Sequence, residues 1–406
     1  MTAPAPAVAP GVLAACQVVV CAGPGGVGKT TVAAALGLAA ARQGRRVAVL
    51  TIDPARRLGD ALGLRPQGND VVLVERDVDS GGSLHISMLD SKRTFDAVVA
   101  RHAPSAEQRA KILDNPFYRS ISTSLSGTQE YMASERLYEL HTSDRFDLVV
   151  LDTPPTSNAL DFLDSANQLT RLFDHRLYRA LLGPGATFGR VVAGATRTAL
   201  RPLGRVVGLQ VIDDAVAFLE TFRGMEEGFR DRAQQVRSVL GSDRAGFVLV
   251  CSAASDSVDE ASFVVDRLAG HGITPRALVV NRMLVGFDDP RRYTVEQAGT
   301  EPAGTEPAGT PSEGLAATGV TLASEREVES LRANLAELRM AAADEERAVA
   351  GLTGRIPGAV LVRVPEFDRE VTDLGGIGEV AAVLGALVGP AGPPDQGRAT
   401  RRASIA

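Results

Sequence analysis

Residues 17–30 read Gln-Val-Val-Val-Cys-Ala-Gly-Pro-Gly-Gly-Val-Gly-Lys-Thr, and this stretch decides the fold. After Gln17 its first part is continuously apolar, which predicts a strand that is buried on both faces. Its second part, Gly23 to Thr30, satisfies the phosphate-binding pattern G-x-x-x-x-G-K-[ST]. The Ala- and Leu-rich segment from Thr31 to Gln43 predicts a helix that ends at Gly44. The pattern therefore lies between a strand and a helix, which is the context that a P-loop requires.

A P-loop binds nucleotide phosphates because its glycines let the backbone wrap around the anion. We predict ATP and Mg²⁺ as the cofactors, with Lys29 reaching the β- and γ-phosphates and the Thr30 hydroxyl acting as a ligand of Mg²⁺. The alternative is a flexible turn that binds no ligand. The predicted ATP-binding residues of the loop are Gly25, Gly26, Val27, Gly28, Lys29, Thr30 and Thr31.

Further apolar runs predict an α/β fold. Arg46 to Ile52 is a second strand, so strand, loop, helix and strand form a βαβ unit and the sheet should be parallel. Phe146 to Leu151 predicts another strand, and the later candidates are Ala245 to Cys251, Arg276 to Asn281 and Ala359 to Val364. We therefore predict a doubly wound, mostly parallel sheet flanked by helices.

The long segments between these strands predict a helical subdomain inserted into one ATPase domain. A tandem Gly-Thr-Glu-Pro-Ala repeat within residues 299–314 is unable to form a core, so a mobile loop is expected around it. Helical periodicity follows over residues 324–350. The predicted boundaries are residues 1–14 for a disordered N-terminus, 15–388 for the ATPase domain, about 84–145 and 161–240 for the helical subdomain, about 285–323 for the mobile loop, and 389–406 for a disordered tail.

Two carboxylates follow predicted strands, at the edge where open α/β sheets bind ligands. Asp152 follows four hydrophobic residues, and this is the Walker B arrangement, which holds Mg²⁺ directly or through water. Asp53 follows the second strand and can face the γ-phosphate; the alternative is a helix N-cap or turn before Pro54. We predict Lys29, Asp53 and Asp152 as catalytic residues, and Thr30, Asp53 and Asp152 as the ligands of Mg²⁺.

The composition argues against several other classes of protein. The net charge is −6, aromatic residues make up 4% of the 406 residues and Trp is absent, so we expect no nucleic-acid partner. The cysteines Cys16, Cys21 and Cys251 show no C-x-x-C spacing, and we expect buried thiols rather than disulfides or a metal site. The first residues lack the pattern of a secretion signal. We expect a cytoplasmic protein that can also lie at the inner face of the membrane.

Three segments together resemble the ArsA-type ATPases, which include the bacterial arsenite-pump ATPase and the eukaryotic ATPase that targets tail-anchored membrane proteins. The matching stretches are Gly23 to Thr30, Thr51 to Arg56 and Asp152 to Asn158, at the positions of the P-loop, switch I and switch II. The resemblance implies a P-loop NTPase fold of the SIMIBI type and ATP hydrolysis, with Asp53 orienting the attacking water. It also implies that Asn281 contacts the adenine, and that Pro365 belongs to a second loop on the adenine side.

Within this family the chain is most similar to an actinobacterial pair of anion-transporter ATPases. The segments typical of that pair are Leu113 to Tyr118, Gln129 to Met132 and Asn158 to Asp164. In the family a loop Lys crosses the dimer interface and contacts the partner's nucleotide, but this chain has Pro24 there, which offers neither a positive charge nor an N–H. Either the chain pairs with a paralogous subunit that carries the loop Lys, or it hydrolyses ATP slowly as a homodimer. We favour the first hypothesis.

Other departures from the family concern the substrate. Asn158 replaces the switch II His, and the arsenite-binding cysteines of the pump have no counterparts. The stretch from Leu169 to Ile212 has seven arginines against one acidic residue. It could cover a hydrophobic client helix or contact anionic lipid; the alternative is a helical subdomain whose arginines are solvated.

These observations predict an ATPase that couples hydrolysis to the opening and closing of a dimer in membrane transport or export. The alternative function is a nucleotide-switched chaperone or targeting factor for hydrophobic client proteins. A plasmid-partition or cell-division ATPase shares the loop, but such proteins usually lack so large a helical insertion and carry the loop Lys.

Overall fold

The fold is built on one sheet, seen in a computed structural model that describes residues 11–52, 58–59, 62–64, 68–77, 79–116, 118–119, 128–154, 225–284, 295–297 and 325–389. Its strands are β1 (Val18–Ala22), β2 (Arg46–Thr51), β3 (Val71–Arg76), β4 (Ser83–Met88), β5 (Leu148–Asp152), β6 (Ala245–Cys251), β7 (Ala277–Met283), β8 (Val295–Gln297) and β9 (Val360–Pro365). The α-helices in these ranges are α1 (Lys29–Arg42), α2 (Ser91–His102), α3 (Ala106–Asp114), α4 (Thr128–Thr142), α5 (Glu226–Leu240), α6 (Ser255–Gly270), α7 (Glu325–Thr353) and α8 (Leu374–Val388).

The strand order is β3-β4-β2-β5-β1-β6-β7-β9-β8. β1 lies between β5 and β6 and runs parallel to both. In the described sheet the antiparallel pairs are β3 with β4 and β8 with β9, one at each edge. The mostly parallel sheet that the sequence predicts is therefore confirmed.

Helices cover both faces of the sheet, as a doubly wound fold requires. On one face α1 and α8 pack against side chains such as Val19 and Cys21. On the other face α4, α5, α6 and α7 pack against side chains such as Val18 and Val20. Successive residues of β1 thus enter opposite cores, because side chains alternate along a strand. This explains why the central strands are apolar without interruption.

A third apolar cluster contains no strand residue and joins the helices that follow β4. Phe95 of α2, Ile112 of α3, Tyr131 of α4 and Phe229 of α5 all belong to it and are buried. The Tyr131 and Phe229 rings stack with their centroids 5.7 Å apart. These helices therefore have a small core of their own beside the sheet.

The start of the predicted helical subdomain, at about residue 84, is wrong. Residues 84–88 belong to β4, which pairs parallel with β2. The polar residues His85 and Ser87 interrupt the apolar run, so the segment lacks the continuous hydrophobicity of the central strands. β4 is nevertheless largely buried, because it lies between β2 and β3 in the sheet.

The predicted disordered N-terminus is wrong for residues 11–14. The Leu13 side chain is fully buried in the core that also contains α8. Its backbone N–H donates to the carbonyl oxygen of Leu387 at 2.8 Å. The Leu13 side chain and this backbone hydrogen bond thus help to fasten the beginning of the described chain to α8.

Two further segments can be compared with the predictions. The predicted helix over residues 324–350 corresponds to α7. Residues 295–297, inside the predicted mobile loop, form the edge strand β8 beside β9. The Gly-Thr-Glu-Pro-Ala repeat and the Arg-rich stretch from Leu169 to Ile212 lie outside the described residues. Across the part of the chain that the structure describes, no helix is both long enough and apolar enough to cross a membrane.

Candidate nucleotide-binding site

The P-loop connects the end of β1 to the start of α1 at the centre of the sheet. β5 lies beside β1, and β2 lies beside β5. The three strands end at the same level, because Thr51 of β2 and Cys21 of β1 both lie opposite Asp152 of β5 in the strand register. The carboxyl ends of parallel strands are where open α/β sheets bind ligands. The predicted loop and the predicted Walker B carboxylate therefore share one edge of the sheet.

Glycine is required at two points of the loop by the space around it. Gly28 has φ +90°, and a Cβ there would collide with Nδ2 of Asn281. Gly23 has φ +152°, and a Cβ there would collide with the carbonyl oxygen of Val250. Gly25 and Gly26, by contrast, are exposed on the outer part of the loop. The backbone of the loop is thus open to a ligand on one side and packed against β6 and β7 on the other.

Lys29 is the first residue of α1, and its side chain turns back over the loop. The side chain is buried, and Nζ donates to the carbonyl oxygen of Pro24 at 2.6 Å. Pro24 is itself buried. A positive charge therefore lies inside the loop, next to the N-terminus of a helix, and both features favour an anion.

Asp152 is the residue at which three segments of the chain meet. The hydroxyls of Thr30 and Thr51 both donate to its Oδ2 atom, each at 2.8 Å. The Asp152 side chain is 1% exposed, and a buried carboxylate is costly unless hydrogen bonds stabilise it. The neighbouring Thr153 hydroxyl donates to the carbonyl oxygen of Cys21 at 2.7 Å, which ties the chain after β5 to β1.

Two of these threonines were not predicted as site residues. No motif marks either residue as a site residue: Thr51 precedes Ile52-Asp53, and Thr153 follows the Walker B Asp. The signal that could have revealed Thr51 is its place at the end of the strand beside β5, where its hydroxyl faces the carboxyl edge.

The residues at this edge fit Mg²⁺ and a nucleotide. The Thr30 hydroxyl and the Asp152 carboxylate are hard oxygen donors, which Mg²⁺ prefers, and Mg²⁺ usually binds one or two carboxylates together with substrate phosphates. In the described ranges no group of three or more His, Cys, Asp or Glu side chains could hold a metal ion. The Thr30 hydroxyl and the Asp152 carboxylate are a donor set that suits a metal bound together with a phosphate.

Asn281 lies on the opposite side of the P-loop from Asp152. Its Nδ2 donates to the carbonyl oxygen of Val27 at 2.8 Å. The next residue, Arg282, has φ +58°, at a register shift between β7 and β9. Pro365 ends β9 and is paired with Met283 in that register. Asn281 and Pro365, which the resemblance assigns to the adenine, thus lie near the carboxyl ends of two adjacent strands.

Several predicted residues cannot be compared with the structure. Asp53, which the sequence predicts to orient water and bind Mg²⁺, and Asn158, at the switch II position, lie outside the described residues. The residue before Asp53 is described: the N–H of Ile52 donates to the backbone carbonyl of Asp152 at 3.1 Å.

The three cysteines are buried thiols, as predicted. All are free, with Cys16 and Cys21 in the core beside α1 and Cys251 in the core on the other face. Burial raises the pKa of Cys251 to about 12 and raises the pKa values of Cys16 and Cys21 as well. The charge of Asp152 adds to the effect on Cys21. Buried thiols of this kind are unreactive structural groups.

Comparison with known proteins identifies the family. The family model described as anion-transporting ATPase matches residues 16–294, which include the P-loop, Asp152 and Asn281. The chain belongs to this family. Members of the anion-transporting ATPase family hydrolyse ATP, and this chain is an ATP-binding P-loop ATPase.

Two fungal proteins are similar to this anion-transporting ATPase family member. The ATPase GET3 of Malassezia globosa is 27% identical over 265 residues, which make up 65% of this chain and 72% of that protein. The ATPase get3 of Aspergillus terreus is 26% identical over 270 residues, which make up 64% of this chain and 72% of that protein. Pro365 lies beyond the segment that the family model matches.

The contact of Thr51 with Asp152 leads to a first prediction. Thr51→Val keeps the shape of the side chain but removes a hydrogen bond to a buried carboxylate, so we expect the free energy of unfolding to fall by about 1–3 kcal/mol. Thr51→Ser, which keeps the hydroxyl, is the control and should lose clearly less. Urea denaturation of the three proteins measures the difference. Equal stability of the Val and Ser variants would contradict the proposed contact.

Proposed function

We propose that this chain hydrolyses ATP in a Mg²⁺-dependent reaction and works as one subunit of a dimer. The observation that carries the proposal is the meeting of the Thr30 hydroxyl with the Asp152 carboxylate, 2.8 Å apart, beside a glycine loop that holds the buried ammonium of Lys29. These groups supply hard oxygen donors and a positive charge at the carboxyl edge of a parallel sheet.

Each residue has a role in this proposal. The backbone N–H groups from Gly25 to Thr31 bind the phosphates, and Lys29 exchanges its contact with the Pro24 carbonyl for phosphate oxygens. Thr30 and Asp152, with Asp53, hold Mg²⁺, which when bound supplies positive charge opposite the phosphates. Asp53 orients a water and accepts its proton as the water oxygen attacks the γ-phosphorus, and the bond from that phosphorus to the bridging oxygen breaks to leave ADP and inorganic phosphate. Asn281 and Pro365 bind the adenine.

Replacement of Lys29 tests the site directly. We expect Lys29→Ala to lower ATP turnover by at least about 100-fold, because it removes a preorganised charge that stabilises the transition state. Asp53→Asn should retain nucleotide binding but lose hydrolysis, because the amide keeps the shape but cannot accept the proton. The control is Lys92→Ala, since Lys92 is exposed on α2, where it pairs with Asp96 one turn along the same helix. Phosphate release and fluorescent-nucleotide binding measure both steps; normal hydrolysis by Lys29→Ala would overturn the proposal.

The dimer proposal depends on Pro24. This residue occupies the position of the family's interface-crossing Lys, and in this chain it is buried, with its carbonyl oxygen accepting from Lys29. Position 24 therefore supports its own loop and provides no cation for a second subunit. We propose that a paralogous subunit with the loop Lys is the partner, and that the slow homodimer is the alternative.

Mixing the two subunits distinguishes these possibilities. We expect ATP turnover by this chain to rise by at least roughly tenfold when a paralogue with the loop Lys is added, because a cation supplied by a partner stabilises the transition-state charge. The matched control is the same paralogue with that Lys replaced by Ala, which should bind but not stimulate. A stable homodimer of this chain with rapid turnover, unchanged by either paralogue, would contradict the heterodimer.

The work that hydrolysis drives is either client targeting or membrane transport. Both relatives described above are named ATPase GET3, and neither name refers to a transporter. The sequence resembles the eukaryotic ATPase that targets tail-anchored membrane proteins. The three cysteines of the sequence are all buried in the two sheet cores, which leaves no thiol for arsenite in the helical region. We therefore propose a cytoplasmic targeting factor for hydrophobic helices, and transport of an anion is the second candidate.

A capture experiment tests the targeting function. A peptide with an apolar helix of about 20 residues, the length that spans a bilayer, should remain soluble with this chain and its partner in the presence of ATP. The control peptide carries two Asp residues in the centre of that helix and should not be retained. Co-sedimentation measures both. Equal retention of the two peptides, or of neither, would reject targeting and favour transport.

A further inference from the structure

Helix α4 contacts the end of β2 at the residue that precedes Asp53. Gln129, in the first turn of α4, donates from Nε2 to the carbonyl oxygen of Ile52 at 3.0 Å. Gln129 to Met132 is one of the segments typical of the actinobacterial pair, and its sequence alone indicates no role in nucleotide chemistry. The structure gives the first of these residues a specific partner 77 positions earlier in the chain.

Both polar groups of the Ile52 backbone are held by other segments. Its N–H donates to the Asp152 carbonyl at 3.1 Å, and its C=O accepts from Gln129. The Ile52 side chain is buried in the core below α4. Because a peptide unit is planar, the Ile52 carbonyl and the amide nitrogen of the next residue share one plane. A group that holds this carbonyl therefore also fixes the plane of the peptide unit at the end of β2.

α4 is itself held against its neighbours by ion pairs to one buried carboxylate. Glu135 is 2% exposed, and its carboxylate accepts from the Tyr131 hydroxyl at 2.9 Å. The same carboxylate pairs with Arg232 of α5 at 3.3 Å and with Arg101 of α2 at 3.6 Å. Breaking a buried ion pair on one side is costly, so this network keeps α2, α4 and α5 together. Gln129 thus projects from a helix that is held in place by its contacts with α2 and α5.

We propose that Gln129 is a positioning residue for hydrolysis: it holds the Ile52 carbonyl and thereby fixes the end of β2, on which the proposed action of the next residue, Asp53, depends. The inference rests on the proposed role of Asp53. A positioning contact differs from a purely structural contact in a property that can be measured. A structural contact affects the stability of the fold, whereas a positioning contact affects turnover while ATP still binds.

The test uses two substitutions of Gln129. Gln129→Leu keeps most of the volume without a donor, and Gln129→Glu keeps the length but, when ionised, presents an acceptor to a carbonyl. We expect kcat to fall by about tenfold in both, the equivalent of one hydrogen bond, with ATP affinity within about twofold of wild type. The matched control is Gln234→Leu, the same change at an exposed position of α5, which should leave both quantities unchanged.

The outcomes separate this inference from the proposed function. Wild type is compared with Lys29→Ala in the same assay, and equal turnover of these two would overturn the function and the inference together. If wild type is active and both Gln129 variants match Gln234→Leu, the inference alone is wrong. Parallel losses of thermal stability, ATP affinity and kcat, or a failure of both variants to fold, would show a structural contact and also overturn it. Should only the Leu variant fail to fold, the Glu variant decides.

Discussion

The fold and the site both depend on one buried carboxylate, that of Asp152. Its Oδ2 atom accepts from a hydroxyl in the P-loop and from a hydroxyl at the end of β2. These donors lower the cost of burying the charge, so the contact stabilises all three segments together. The contact that joins the P-loop to the centre of the sheet thus also brings together Thr30 and Asp152, the two described residues proposed to bind Mg²⁺.

Local patterns predicted most of the central sheet and little of its edges. β1, β2, β5, β6, β7 and β9 are apolar runs between two layers of helices, and their hydrophobicity is continuous because both faces are buried. The edge strand β3 is half exposed and β4 contains His85 and Ser87, so neither has that signal. The burial of Leu13 could not be predicted either, because one buried side chain outside a regular helix or strand produces no periodic pattern.

In the candidate site, too, local motifs could be predicted and contacts between distant residues could not. Lys29, Thr30 and Asp152 could be predicted, because a P-loop and a Walker B strand each encode their chemistry within about eight consecutive residues. The contacts that orient them could not. Thr30 and Asp152 are 122 residues apart, Thr51 and Asp152 101, and Gln129 and Ile52 77. Such contacts depend on strand order and on the placement of α4, and neither is determined by local spacing.

Ile52 contacts both the candidate nucleotide site and the helical region. Its N–H donates to the carbonyl oxygen of Asp152 in the candidate site, and its C=O accepts from Gln129 of α4. If hydrolysis depends on both contacts, a molecule that shifts α4 changes turnover without touching the nucleotide. Linkage then requires the reverse effect, so that the nucleotide state alters the affinity of the helical region for its ligand. In the heterodimer proposed above, a subunit without the loop Lys would in this way still contribute to the cycle, through the response of its helices to the nucleotide.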